Sequence, residues 1–253
     1  MMDDLFYNGK NLRSLGFMIK ERPFYKSAER NQELSDVLGA DGAALLDNGG
    51  FKNVELQYKV NSNPFWCNDK TDEQLFRQLT SWLYAEPGEY KILRDTYNPG
   101  YFTHAVPISP EQFNNPFKHV LDGTLTFSRK PFWYSDLGQK KLTYNFDTST
   151  AVLEINNPEP YYAMPYIKVT TGSAFSITTN GDTSKIFKVN GVVSFVEIDC
   201  EEMNVYVGST DFNDSTEGDY LPILKPGRNT LLFESLLDMP FTVIEIIPRW
   251  RRL

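Results

Sequence analysis

Apolar and polar residues alternate in short runs along most of the chain, the period of strands with one buried face. The clearest run sets Val54, Leu56, Tyr58 and Val60 against Glu55, Gln57 and Lys59. One segment breaks the period. Leu75, Leu79, Trp82 and Leu83 fall at i, i+4, i+7 and i+8, with Phe76 at the edge of the stripe, and this predicts an amphipathic helix over residues 71 to 84. Thr71 and Gln74 have the spacing of a capping box, Asp72 and Glu73 suit the positive helix start, and Pro87-Gly88 stops it. That helix is expected to pack across a sheet.

Before it, Leu5-Phe6-Tyr7 runs into Asn8-Gly9, a tight-turn dipeptide, and then into Leu15-Gly16-Phe17-Met18-Ile19, which together read as an opening hairpin. From Ser27 to Gly50 the pattern weakens. Gly39-Ala40-Asp41-Gly42 and Asn48-Gly49-Gly50 bracket the short apolar patch Ala43-Ala44-Leu45-Leu46, and so long an excursion is either mobile or engaged with a partner. After the helix, strands are expected at Glu89 to Leu93, Tyr101 to Val106 and Gly123 to Phe127, with His104 as an ordinary strand residue.

Between Arg129 and Lys141 the character changes to a polar, turn-rich connection around Pro131 and the aromatic trio Phe132-Trp133-Tyr134, which marks a domain junction. The aromatics are expected to pack against one or both domains. Beyond it come eight short strands, at Leu142/Tyr144/Phe146, Ile167/Val169, Phe175/Ile177, Ile186 to Val189, Val196/Ile198, Val205/Val207, Leu231 to Phe233 and Val243 to Ile247. They are separated by turns such as Asn180-Gly181, Asn190-Gly191 and Pro226-Gly227, and Asn190-Gly191 is a hairpin signal in its own right. Pro158 to Pro165 reads as a rigid loop. The expected fold is therefore mainly β: an α+β domain over residues 1–137 with one packed helix, and an all-β antiparallel sandwich over residues 138–253.

A length of 253 residues by itself leaves one large domain or two small ones open, and suffices to fold without staples. The 25 basic and 33 acidic residues give a net charge of -8, which argues against an outer surface built to hold nucleic acid. Aromatic residues at 14% and charged ones at 23% are the composition of a packed, strand-rich protein. Cys67 and Cys200 lack the spacing of a disulfide framework or zinc site and read as ordinary thiols, while two histidines, His104 and His119, cannot make a three-histidine metal centre. The acidic N-terminus does not look like a signal peptide, and no run of ~18 apolar residues occurs, so the chain is expected to be made and kept in a reducing cytoplasm until assembled or released.

The search for chemistry is mostly negative. No dinucleotide, phosphate-loop, zincin or nucleophile-elbow motif is present. The stretch from Asp211 to Asp219 is rich in carboxylates but lacks the offsets of a calcium loop, and reads as solvated. Glu197, Asp199, Glu201 and Glu202 could supply a glycosidase pair, yet alternation with Val196 and Ile198 turns Glu197 and Asp199 to water. Tyr161-Tyr162, Tyr220 and Trp250 are candidates for stacking on sugar rings, although buried aromatics are commoner in such a protein. The basic end Arg249-Trp250-Arg251-Arg252 could meet an acidic partner, although three charges on a terminal strand are more often a solvated end. No cofactor, metal or catalytic residue is expected.

The order of the pieces resembles the distal tail proteins of phages with long non-contractile tails that infect Gram-positive bacteria. The resemblance rests on Phe6-Tyr7-Asn8-Gly9 with Leu15-Gly16, on Gly39-Ala40-Asp41-Gly42, on Trp82 to Gly88, on Tyr101 to Ala105, and on Phe127 to Tyr134, which is similar to the phrase closing that family's ring domain. In the second half it rests on Asn156-Asn157, Pro165 to Val169, Val196 to Asp199, Leu224 to Asn229 and Val243 to Arg252, with Asn157-Pro158 standing where related sequences often have a glycine turn.

The resemblance implies a structural virion protein without enzymatic activity. Six copies would form a ring through the N-terminal domains, single or stacked in pairs, leaving a central channel through which DNA passes without specific binding, and a C-terminal galectin-like sandwich would project outward. The 27–50 excursion would be an arm on the neighbouring subunit, with Gly39, Asp41, Gly42, Leu45, Leu46 and Phe51 at the ring interface. Implied partners are the tail tube protein, tail-tip or baseplate proteins and, through the outer domain, a receptor-binding protein. No membrane contact is implied. A carbohydrate-binding module for host cell-wall saccharide is the alternative, although no convergent His, Asn, Arg and Trp set of the kind galectins use is apparent. A glycosidase comes third.

Overall fold

The computed structural model describes all residues except 1, 2, 25, 40, 67–69, 87, 109–111, 118, 119, 192, 193 and 219. His119 and Cys67 therefore lie outside the described residues. The chain divides into two compact units, Met1–Trp133 with Leu253, and Tyr134–Arg252.

The first unit begins with β1 (Leu5–Tyr7) and β2 (Lys10–Asn11), joined at the expected turn. Asn8 (φ 46°) and Gly9 (φ 75°) both adopt the left-handed conformation that a two-residue hairpin loop requires. The partner strand differs from expectation. Leu15 lies in a 3-10 turn, and β3 (Phe17–Ile19) pairs instead with β6 (Val54–Ser62), because the two-residue loop returns the chain at once and leaves Phe17 to fill the core from elsewhere.

With β7 (Lys91–Asp95), β8 (Tyr101–Pro107) and β10 (Val120–Arg129) these strands form one antiparallel sheet in the order β2-β1-β7-β8-β10-β6-β3, and β9 (Phe113–Phe117) adds to β10. The alternation read from the sequence of β6 is the alternation observed, with Val54, Leu56, Tyr58 and Val60 buried. β4 (Arg30–Asp36) and β5 (Ala43–Phe51) pair only with each other among the described residues.

Helix α1 (Asp72–Leu83) is capped by Thr71 and Gln74 in both directions, and it buries Leu75, Leu79, Trp82 and Leu83. It docks through one polar anchor inside an aromatic cluster. The Trp82 indole N–H donates to the Tyr7 carbonyl at 2.9 Å, and the Tyr7 ring meets Trp82 edge-on at 5.8 Å and Phe127 at 5.1 Å. Beneath them, the buried Tyr58 hydroxyl donates to Asp95 at 2.6 Å. The other carboxylate oxygen of Asp95 accepts the Tyr97 and Asn98 backbone N–H groups, so a buried carboxylate is satisfied on both sides.

The second unit is an antiparallel β-sandwich. β11 (Trp133–Ser135) carries the division between units. One sheet contains β12 (Leu142–Asn145), β14 (Tyr166–Thr171), β17 (Phe195–Asp199), β18 (Asn204–Val207), β19 (Thr210–Asp211) and β22 (Phe241–Ile247), ordered β12-β22-β14-β17-β18-β19. The other contains β13 (Thr150–Asn157), β15 (Phe175–Thr179), β16 (Ile186–Val189), β20 (Thr216–Glu217) and β21 (Gly227–Ser235), ordered β13-β21-β15-β16-β20. The short β23 (Arg251–Arg252) closes the unit. Leu153, Ile177 and Phe233 from one sheet and Val169, Ile198 and Ile244 from the other meet in a single core.

All eight expected strands are present, and β13 is one the sequence reading passed over, although it alternates cleanly with Ala151, Leu153 and Ile155 inside. Asn190-Gly191 is not a hairpin. β16 and β17 belong to different sheets, so the dipeptide lies on the crossing between them, and the glycine is required because the Phe212 ring occupies the space a Cβ would take.

The helix should matter chiefly through its buried stripe. Leu79→Ala is expected to cost about 2–5 kcal/mol in denaturant unfolding, whereas Glu73→Ala on the exposed face should stay within about 0.5 kcal/mol of wild type.

Candidate functional site

Among the described residues, the β4–β5 hairpin carries the longest run of exposed positions. Every described residue from Gln32 to Gly50 is exposed. Its base is held by the Arg30 guanidinium on Asp47 at 2.6 Å and by the Lys52 N–H on the Glu29 carbonyl at 2.8 Å. At the tip Gly39 and Gly42 both take φ 83°, with Asp41 between them. Leu34 and Leu45 face each other across the strands, so they share one face, while Leu46 opposite Glu33 lies on the other. Leu34 is 74% exposed, Leu45 58% and Leu46 51%. Phe51 sits at the root, half-buried, with its ring edge-on to Phe132 at 5.8 Å.

Thus the residues expected at a ring interface lie along one arm, from tip to root. Sequence reading missed Leu34, Val37, Leu38 and Phe24, all exposed. Leu34 is flanked by Glu33 and Ser35, and only the strand pairing with Leu45 reveals it as part of a patch.

At the junction, Phe132, Trp133 and Tyr134 are buried and Pro131 is half-buried. In the first unit the Arg129 guanidinium donates to the Lys130 and Pro131 carbonyls at 2.9 and 2.8 Å and lies over the Trp133 ring, while the Thr103 hydroxyl donates to the Phe132 carbonyl. In the second unit the Tyr134 hydroxyl donates to Glu201.

The carboxylates around β17 form an ion-pair lattice. Asp199 is only 5% exposed, so the expectation that it faces water fails. Arg249 reaches it with two parallel hydrogen bonds of 2.6 and 2.7 Å, and its Oδ1 also accepts the N–H groups of Glu201 and Glu202. Burial pushes the Asp199 carboxyl up, but these bonds outweigh it and hold the pKa below the ordinary value. Glu197 behaves alike: burial is outweighed by hydrogen bonds from the Tyr166 hydroxyl at 2.7 Å and Lys168 at 3.2 Å. A retaining or inverting glycosidase needs one of its carboxyls kept protonated, and both of these are held ionised.

The basic end is likewise not a solvated terminus. Arg251 is 4% exposed, donates to the Tyr162 carbonyl at 2.9 Å and lies 4.8 Å from the Tyr162 ring centre. Trp250 belongs to the sandwich core, which removes it from the candidates for sugar stacking. Tyr161 and Tyr162 are half-buried, and Tyr220 alone of the four is open to solvent.

The remaining candidates are accounted for by local contacts. In the 211–219 stretch Asp211 accepts the Asn213 N–H, and no group of three or more metal-ligating side chains occurs among the described residues. His104 is a half-buried strand residue with its ring edge-on to Phe102 at 5.6 Å. Cys200 is buried, and burial pushes its thiol up and keeps it unreactive. Among the described residues no helix is long and apolar enough to cross a membrane.

Together the two units define a mainly β architecture: an antiparallel sheet carrying one helix and an exposed hairpin, followed by an antiparallel sandwich. The same fold, over 100% of both chains, is found in the crystal structure of the phage SPP1 protein Dit (gp 19.1), described as a paradigm of the hub adsorption apparatus in phages infecting Gram-positive bacteria, with a TM-score of 0.71 and 15% sequence identity. No protein-family model and no curated protein matches the sequence.

The Asp199–Arg249 pair sets an acid dependence. Because the folded pKa of Asp199 lies below its unfolded value, its contribution to stability is complete above roughly pH 4 and is lost as pH falls through the folded value. Asp199→Asn, which keeps an acceptor for the two backbone N–H groups, is expected to cost about 1.5–3 kcal/mol at neutral pH, the worth of a hydrogen bond to a charged group, and to flatten the acid limb of stability followed by denaturant unfolding from neutral pH into the acid range.

Proposed function

We propose that this protein is a structural component of a phage tail, the distal hub that joins the tail tube to the tail tip or baseplate. Six copies would close a ring through the first domain, residues 1–137, leaving a channel for DNA, and the sandwich of residues 138–253 would be the outward-facing, galectin-like domain. Full-length likeness to the SPP1 hub protein supports this reading. The observation that carries it is the β4–β5 hairpin.

A two-stranded sheet on its own is marginal in water, and this one has leucines on both faces and both edges unpaired among the described residues. Burying Leu34, Leu45 and Leu46 against a second copy would contribute roughly 1.5–3 kcal/mol each, repeated at every interface of a closed ring. A hub works by surfaces, and the ionised state of Glu197 and Asp199 supports a protein without hydrolytic chemistry. The net charge of -8 suits a channel wall that lets a polyanion slide. Neighbouring tail proteins would stack on the ring, and a receptor-binding protein would attach through the outer domain.

Native mass spectrometry and negative-stain imaging are expected to show a six-membered ring for the wild type. L34K/L45E/L46S removes the leucines from both faces of the arm and leaves a cross-strand ion pair on one of them, so it should give a folded monomer with an unchanged circular dichroism spectrum. Rings in the variant would eliminate the arm as the interface, and a wild type that stays monomeric at high concentration would eliminate the hub reading.

A further inference from the structure

The second unit carries a cavity that the hub reading does not use. It has a volume of about 330 Å³ and lies between the β15–β16 turn and the segment leading into β21. This is within the size range of small-ligand sites, ~300–1,000 Å³. Tyr220 is 53% exposed and Ile223 38%, and both line the cavity with Leu221, so an aromatic and aliphatic floor is left open to water. Lys185 and Lys225 stand at the rim with Asp182, Thr179 and Asn180.

The walls are built from fixed backbone. Asn180 (φ 55°) and Gly181 (φ 68°) make a tight turn, and the Asn180 side chain is clamped to β21 by accepting the Thr230 N–H at 2.8 Å and donating to Asn229 at 3.1 Å. On the opposite wall the fully buried Asn229 accepts the Lys225 N–H at 2.8 Å and donates to the Lys225 carbonyl at 2.7 Å. One buried asparagine therefore sets the distance between the two sides. Asp182 is occupied locally, accepting the N–H and hydroxyl of Ser184, so its charge is partly spent on its own turn. Its approach to Lys185 is a loose 3.9 Å.

We propose that this cavity binds a saccharide bearing an anionic substituent. The exposed Tyr220 ring offers the flat apolar face on which the C–H side of a pyranose packs. Lys185 holds its ammonium over that ring, 5.2 Å from its centre, so its exposed side chain swings aside as the sugar stacks and its charge stays beside the ring to meet a phosphate or carboxylate on it, and Lys225 also lines the cavity. Asn180 and Thr179 supply neutral hydrogen-bonding groups at the rim, the kind that select hydroxyls. Among the described lining residues two ammonium groups stand against one carboxylate, a local excess of positive charge on a chain of net charge -8 that favours an anionic over a neutral ligand. The site lies wholly within the second unit, so it does not depend on ring formation.

Saturation-transfer NMR on the full-length protein tests this, with glucose 1-phosphate, glucuronate, glucose and inorganic phosphate as separate probes at up to ~10 mM, the range of weak single-sugar affinity. Glucose 1-phosphate or glucuronate should give transfer to its ring protons, and the responding one identifies phosphate or carboxylate as the anionic group. Y220A should weaken binding about tenfold, and K185Q/K225Q should erase the preference over glucose. All three residues are exposed, so the variants should retain the wild-type unfolding midpoint. Absence of transfer from both anionic sugars, equal response to glucose, undiminished binding in Y220A, or inorganic phosphate competing as well as the sugar phosphate would each overturn the proposal. None of these outcomes bears on the ring.

Discussion

Every strand at the edge of a sheet leaves a row of N–H and C=O groups without partners, and the placing of those edges governs the rest of this molecule. In the first unit the sheet ends on β2 and β3, two and three residues long. In the second, β19 and β20 are two residues each. Edges this short offer little to a passing chain. β13 is a longer edge of eight residues, and its outward positions carry Glu154 paired with Arg228. Against that background the β4–β5 hairpin, with strands of seven and nine residues and both edges open among the described residues, is the exception. The unsatisfied backbone is concentrated where the apolar side chains are also exposed, which is the combination an assembling surface needs.

What could be read from the sequence was whatever a local period encodes. β6 and α1 each carry their own partner's geometry in the spacing of a dozen residues, and the capping box of Thr71 and Gln74 needs no tertiary information. The Asn8-Gly9 turn was legible for the same reason, but its partner strand was not, because Lys10 and Asn11 have no apolar signal to mark them. β13 escaped notice because polar Asn156 and Asn157 end it and Val152, an apolar residue, points outward.

The candidate sites show the same limit from another side. Asp199 and Arg249 are 50 positions apart, and a strand period that assigns charged residues to solvent has no way to register that each is the other's partner. Arg251 and Trp250 were misread for that reason too: a basic tail looks solvated until the carbonyl of Tyr162 and the side chain of Glu201 are found waiting for it. Leu45 and Leu46 of the arm were picked out as an apolar patch, but Leu34 became visible only through cross-strand pairing. Tyr220 was one aromatic among four, and only the burial of the others singles it out.

The glycines at the tip of the arm, Gly39 and Gly42, lie beyond the last paired residues, Asp36 and Ala43, while the ion pair of Arg30 and Asp47 and the ring contact of Phe51 lie at the root. Length and attachment are therefore separable in this element. Residues added in pairs next to the tip lengthen the arm by about 3.4 Å for each residue per strand and leave the register below unchanged, so that the reach of the arm is a quantity evolution can adjust in steps without disturbing the fold below it.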